Sequence, residues 1–334
     1  MDSTIQRDAR AIFLPAFDGF DIHDVMMPFL EKGGCSVLLG ETRAEYVARK
    51  MSHERLATET VAQFSECVQK LRTVCTDIIV AVDEELGGIR RLEGLVPPLP
   101  DLDEIAGMDE AAIEARCFDT ARGARALGVT MFLAPIADVV DGRNPWLDGR
   151  SMGREPEAVA RLVAAFVKGV QRAGITAVTK HFPGFNDLAG DPAVMDISLT
   201  TPLERILQNS LPFRAAISAG TKAVMAGPAP VVSIDPENAA CTSPGVIKML
   251  RQEFGFTGLI VSDDLDAPAT MRGQSLLDTS IRSLNAGADL LLVAAGPHLD
   301  QLCNGIVEAV GTGRISEERL SQAASRVRAS AAGI

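Results

Sequence analysis

The sequence is short of the residues on which several kinds of function depend. Histidine occurs only at positions 23, 53, 181 and 298. These are scattered, no H-E-x-x-H or similar cluster is present, and so no metal centre is expected. Cysteines stand at 35, 67, 75, 117, 241 and 303. None form a C-x-x-C pair, and a chain of 334 residues needs no disulfide staples, so free thiols in a reducing compartment are expected. A G-x-S-x-G elbow is missing, which weakens a serine-hydrolase reading. Positive charge is in deficit, 32 Lys and Arg against 44 Asp and Glu, a net of -12. That balance argues against a nucleic-acid or anionic-membrane partner. No run of eighteen apolar residues occurs, so no membrane span is expected. The opening MDSTIQRDAR is polar and charged, with no apolar stretch of a secretory signal, which makes the cytoplasm the default expectation. Nothing calls for a cofactor, and oligomeric state leaves no mark in the sequence.

What is present is a regular alternation. Short apolar runs recur at AIFLPA (11–16), SVLLG (36–40), DIIVAVD (77–83), VTMFLAPIAD (129–138), ITAVTKH (175–181), TKAVMAG (221–227), GLIVSDDL (258–265) and ADLLLVA (288–294). They are continuously apolar rather than alternating, as parallel strands buried on both faces are. Amphipathic segments lie between them. Residues 53–74 carry Leu56, Val61, Phe64, Val68 and Leu71 at helical spacing, and residues 154–174 begin with Pro and acidic residues and end at Gly. Eight strand–helix units predict a single-domain (β/α)₈ TIM barrel over residues 1–334, with a doubly wound open sheet as the competitor. The Pro-rich stretch 84–128 reads as a loop-plus-helix insertion, and the C-terminal segment as a closing helix.

In such barrels chemistry sits at the C-terminal ends of the strands. The third run ends in Asp83, Glu84 and Glu85, the fourth at Asp138, the fifth in Lys180 and His181, and the seventh in Ser262, Asp263 and Asp264. Any one of these could be half of a structural ion pair. As a set they are costly to gather on one face unless paired or used. Carboxylates facing cationic donors suit sugar chemistry, and retaining glycoside hydrolysis needs a carboxylate nucleophile with a separate acid/base about 5 Å away. AAGPH (294–298) after the last run is a mild hint of a phosphate site.

VDEELGGIRRL, LAPIADV followed by DGRSMG, KHFPG, GFTGLIVSDDL and LNAGADLLLV stand in one order along the chain. Together they resemble glycoside hydrolase family 3, in its single-domain β-N-acetylglucosaminidase (NagZ-like) branch. The likeness runs over most of the chain, and KHFPG and GFTGLIVSDDL are its specific parts. The resemblance implies a TIM barrel that hydrolyses O-glycosyl bonds of a small carbohydrate or glycoconjugate, without cofactor. It implies Asp263 as the nucleophile that forms a covalent glycosyl-enzyme. It implies Asp83, Arg91, Arg150, Lys180 and His181 as the residues that grip the sugar.

One loop departs. The family's KHFPGHGDTxxDSH ends in a histidine that serves as acid/base and is oriented by the aspartate two residues before it. Here the stretch reads KHFPGFNDLAGDPA (180–193). Asp191 matches the aspartate, Ala193 stands at the histidine, and Phe185 and Asn186 replace an earlier His-Gly pair. On the sixth run MTAH becomes Met225, Ala226, Gly227 and Pro228, and Leu86 and Gly88 replace a glycine and an arginine of EGGR. The stretch after SDDL is also altered, to DAPAT. Three expectations stay open. The protein is a specialised glycosidase whose leaving group needs little protonation. Or another acid serves, with Asp191 favoured over Asp187 and Asp196. Or it binds sugars without turnover, or runs a different reaction on a glycoside.

Overall fold

The computed structural model describes residues 3–333. Its strands, in chain order, are β1 (Phe13–Phe17), β2 (Ser36–Leu39), β3 (Ile79–Val82), β4 (Met131–Phe132), β5 (Thr176–Phe182), β6 (Ala223–Ala226), β7 (Pro230–Val231), β8 (Asp235–Ala239), β9 (Leu259–Ser262) and β10 (Leu291–Ala294). Eight of them form one parallel sheet in the order β10-β1-β2-β3-β4-β5-β6-β9. A parallel bridge from Val261 to Leu290 joins the two ends, with Leu265 N–H donating to Leu292 O at 3.1 Å. The sheet is therefore a barrel, and the open-sheet alternative is excluded.

The apolar runs form these strands because both of their faces are covered. Every residue of β2, β3, β5, β6 and β9 is buried. Helices supply the outer layer. The segment 154–174 folds as the helix Pro156–Arg172, with Pro at its first turn. Residues 53–74 form two helices, His53–Thr58 and Val61–Val74. The break comes at Thr60, whose hydroxyl accepts from Gln63 N–H while the Gln63 side chain accepts from Thr60 N–H. This capping box starts a new helix inside a continuous apolar stripe. The insertion 84–128 contains the short helix Leu102–Ile105 and the long helix Glu110–Ala126. The antiparallel pair β7–β8 has no counterpart among the expected runs; Pro236 and Glu237 of β8 are exposed and only Ala239 is buried. Among the described residues all six cysteines are free, and no helix is long and apolar enough to cross a membrane.

Glu84, at the end of β3, links the sequence to stability. It is 1% exposed and its Oε2 accepts the Leu92 N–H at 2.8 Å. Burial pushes its carboxyl from 4.5 up to about 8. The folded protein then keeps a proton that the unfolded chain has released. This contribution to stability is complete below the unfolded value and is lost as pH rises through about 8. Glu84→Gln keeps the acceptor for Leu92 and removes the titration. Urea midpoints of this variant are expected to fall less than wild-type midpoints between pH 5 and 8; parallel profiles would refute the assignment.

Candidate active site

The C-terminal ends of β1, β2, β3, β5, β6, β9 and β10 surround a cavity of about 530 Å³. That size is ordinary for a small-ligand site. Asp83, Arg150, Lys180, His181 and Asp263 line it, as do Glu41, Asp264, Asp266, Tyr46, Trp146 and Ala193.

A buried ionic lattice forms its floor. Lys180 Nζ lies 2.6 Å from Asp83 Oδ1 and 2.8 Å from Glu85 Oε1. Arg150 grips the same Glu85 through both oxygens, at 2.7 and 3.1 Å. Burial alone would raise Glu85, but Arg150 and Lys180 outweigh it and hold the carboxyl well below its usual range. Burial likewise disfavours the charge on Lys180, yet Asp83 and Glu85 carry its value upward. Glu85, Arg150 and Lys180 stay ionised because each has a partner at contact distance. Gly88 makes room for the lattice. Its φ is +95°, and a Cβ there would stand 2.7 Å from both Arg150 Cγ and Glu85 Oε2. A side chain at this position would displace the Arg150–Glu85 pair.

Asp138 organises the neighbouring strand end. Its Oδ2 pairs with His181 Nδ1 at 2.8 Å and accepts the His181 N–H, while its Oδ1 accepts the Phe185 N–H at 2.7 Å. The Trp146 ring, 4.4 Å away between centroids, covers one side of the imidazole. His181 Nε2 is thereby turned toward Asp263, 3.9 Å from Oδ2. Burial moves the Asp263 carboxyl up, against the pull of His181, the Asp264 N–H, Lys180 and Arg150, all of which favour the carboxylate.

Among the described residues, buried side-chain atoms without a hydrogen-bond partner include Arg150 Nη1, Asp263 Oδ2 and Glu41 Oε2. All three belong to residues on this one cavity. Buried polar atoms are rarely left unmatched, so their convergence marks a place where a polar ligand completes the set. No three His, Cys, Asp or Glu among the described residues are disposed to hold a metal ion.

Two expected site residues are placed elsewhere. Arg91 is 1% exposed and does not line the cavity. Its fork is taken by Glu59 at 2.6 and 3.0 Å, its Nε donates to Gly40 O at 2.8 Å, and the Phe20 and Phe64 rings lie beside it. It clamps the end of β2 to Glu59, with its guanidinium off the cavity wall. Asp191 is also off the cavity wall, where Ala193 stands instead. Its Oδ1 accepts the Ala193 N–H at 2.9 Å and its Oδ2 faces Arg49 at 3.7 Å. Asp187 does not reach the wall, and Asp196 pairs with Arg272 at 3.4 Å.

Several residues of the site escaped the sequence reading. Glu85 and Asp138 were visible as strand-end acids but had no assigned task. Glu41 directly follows SVLLG, so the strand-end rule covers it equally. Tyr46 comes from the short helix Arg43–Ala48 and Trp146 from a loop, and no pattern in the chain points to them.

A barrel with charged strand ends around a polar ligand cavity is the architecture of an enzyme, and many chemistries, carbohydrate-active ones among them, use it. Comparison with known proteins narrows this. Residues 36–329 match the glycosyl hydrolase family 3 N terminal domain. The chain is 34% identical over 241 residues to a beta-hexosaminidase of Methylococcus capsulatus, covering 70% of this chain and 72% of that one. With a beta-hexosaminidase of Neisseria meningitidis it shares 32% over 257 residues, 72% of this chain and 70% of the relative. Among solved structures, a beta-N-acetylhexosaminidase from Beutenbergia cavernae superimposes with a TM-score of 0.86 at 25% identity, over 98% of both chains. The family 3 beta-N-acetylglucosaminidase of a Paenibacillus species gives 0.87 at 27%, over 98% of this chain and 62% of that one. The chain belongs to glycoside hydrolase family 3, and it is a glycosidase.

Proposed function

We propose that the protein is a retaining β-hexosaminidase, acting on β-N-acetylhexosaminide-like substrates, in which Asp263 is the nucleophile and no loop side chain protonates the leaving group. The observation that carries this reading is the contrast across one cavity. Asp263 presents an unpartnered oxygen beside His181, while the opposite loop presents the methyl group of Ala193. The sugar chemistry is taken from the relatives, which are named as hexosaminidases.

Asp263 Oδ2 attacks the anomeric carbon as the bond to the aglycone oxygen breaks, giving a glycosyl ester and an aglycone anion. Without an acid at hand, the anion takes its proton from solvent. Water then attacks the same carbon, its proton passes to solvent, and the Asp263 carboxylate is released. Arg150 Nη1 is free to bind a sugar hydroxyl meanwhile, and the lattice of Asp83, Lys180 and Glu85 fixes the floor against which the ring is held.

An activated 2-fluoro hexosaminide should trap the first step. Mass spectrometry is expected to show one glycosyl group added to the peptide that contains Asp263. A series of aryl hexosaminides should show kcat/KM falling steeply as the leaving group becomes more basic, by roughly 10²–10⁴ across the series, the range general acid catalysis normally supplies. A flat series would mean that a proton donor is present, and labelling elsewhere would exclude Asp263.

A further inference from the structure

The side of the cavity that carries Ala193 is apolar. Tyr46, Ala193 and Ala267 line it, each from a different segment of the chain. Contacts behind the wall hold the three together. Arg49 faces Asp191 at 3.7 Å, donates to Tyr46 O at 2.8 Å and to Trp146 O at 3.2 Å, and lies 4.3 Å from the Tyr46 ring centroid. Asp191 in turn accepts the Ala193 N–H. Pro192 O accepts the Ala269 N–H at 3.3 Å, which seats the segment of Ala267 beside Ala193. The Tyr46 hydroxyl accepts the Trp146 Nε1–H at 3.1 Å, so the wall presents a tethered phenol ring and two methyl groups. Directly after Ala193, Val194 and Met195 are 55% and 48% exposed. Neighbouring exposed apolar side chains beside a ligand cavity suit an apolar partner.

A leaving group that departs without a proton must be a weak base. Two classes meet that need: anions such as phosphate, and phenols, whose rings spread the charge. Phenols ionise at about 10, as tyrosine does, whereas water ionises at about 15.7 and sugar hydroxyls lie far nearer water. The charges around the cavity separate the two classes. Lys180 and Arg150 are balanced by Asp83 and Glu85. Beyond that balance, Asp18, Asp263 and Asp266 line the cavity against a single further arginine, Arg43. A phosphate would add charge to a surplus of its own sign. A phenol brings no charge until the bond breaks, and its ring fits a wall made of methyl groups and a tyrosine ring.

We propose that this wall is the aglycone subsite of the glycosidase, and that its substrates are β-hexosaminides of phenols. The phenol ring lies against Tyr46, Ala193 and Ala267, and Val194 and Met195 continue the apolar surface outward. The kinetic part of this proposal rests on the acid-free hydrolase reading; the binding of the ring does not. As Asp263 Oδ2 bonds to the anomeric carbon, the bond from that carbon to the phenol oxygen breaks. Its electron pair stays on the oxygen and spreads over the ring. The phenoxide takes a proton from solvent, and water hydrolyses the glycosyl ester, so that glycoside and water give sugar and phenol. The aromatic ring does what a side-chain acid would otherwise be needed for.

The test separates the ring from the basicity of the leaving group. The 4-chlorophenyl and hexafluoroisopropyl N-acetyl-β-glucosaminides have leaving groups of closely similar basicity, one with an aromatic ring and one without. On wild type, kcat/KM is expected to be about fivefold or more higher for the aryl glycoside, and N-acetyl-β-glucosamine 1-phosphate should be the poorest of the three. Binding without turnover would be read by calorimetry with the phenyl and methyl 1-thio-N-acetyl-β-glucosaminides, the phenyl compound being the tighter by a similar factor. Tyr46→Ala, and Val194→Ser combined with Met195→Ser, should each cut both aryl-to-alkyl ratios several-fold. If the two matched glycosides are turned over equally, or the phosphate faster than the aryl glycoside, the proposal fails while the hydrolase reading stands. Ratios unchanged in the variants also overturn it, since the ring then binds elsewhere. If the thioglycosides bind in the expected order but no glycoside is turned over, the hydrolase reading fails and the aromatic subsite stands. Should Tyr46→Ala not fold, the pair of substitutions at exposed positions still decides.

Discussion

Asp263→Asn is expected to lower kcat on an aryl β-hexosaminide by roughly 10³ or more. The substitution keeps the side-chain size and an oxygen for the Asp264 N–H, which Asp263 Oδ1 accepts at 2.8 Å. What it removes is the carboxylate that, on the proposed mechanism, bonds to the anomeric carbon. On the same proposal substrate affinity should change far less, because Arg150 and the floor around Lys180, rather than the attacking oxygen, would hold the ring. Azide added to an Asp263→Ala variant should restore turnover and give a glycosyl azide of inverted configuration, since truncation leaves room for a small anion where the carboxylate stood. Turnover that survives the substitution at wild-type level would remove Asp263 from the mechanism. Stopped assays with product configuration read by NMR distinguish these outcomes.

The second large effect runs in the opposite direction. Ala193→His is expected to raise kcat/KM on hexosaminides with poor leaving groups by about 10², and on activated aryl glycosides by less than about threefold. Ala193 is on the cavity wall, and the carboxylate that would orient an imidazole is two residues earlier, already bonded to the Ala193 N–H. The gain should vanish when Asp191→Ala is added to Ala193→His. A uniform gain on all substrates, or a gain that survives the loss of Asp191, would show that the new ring acts through binding rather than proton transfer.

The barrel was legible because its strands are buried on both faces, and continuous apolar runs of that kind need no tertiary information to be recognised. Strand-end logic also located Asp83, Lys180, His181 and Asp263, since in a parallel barrel every run delivers its last residues to the same mouth. It was applied unevenly, however. Glu41 ends the second run as plainly as Asp83 ends the third. Arg91 shows the limit from the other side. Nothing in VDEELGGIRRL indicates that Glu59, from the break between two helices, reaches over to occupy its guanidinium. Long-range ion pairs are set by packing between elements distant in sequence, and they decide whether a charged residue is available to a ligand. The same applies to Asp191, whose partner Arg49 lies far back in the chain.

Phe185 and Gly227 carry a lesson about the order in which this loop can be remade. The Phe185 ring is fully buried, and a Cβ on Gly227 would come within 2.1 Å of it. The dependence is one-sided: the Phe185 ring leaves room for nothing larger than glycine at 227, whereas glycine at 227 tolerates a smaller residue 185. A loop engineered back toward its relatives has to shrink residue 185 before residue 227 can gain a side chain. Taken in reverse, the first step passes through a collision in the core, whereas the forward path passes only through a cavity.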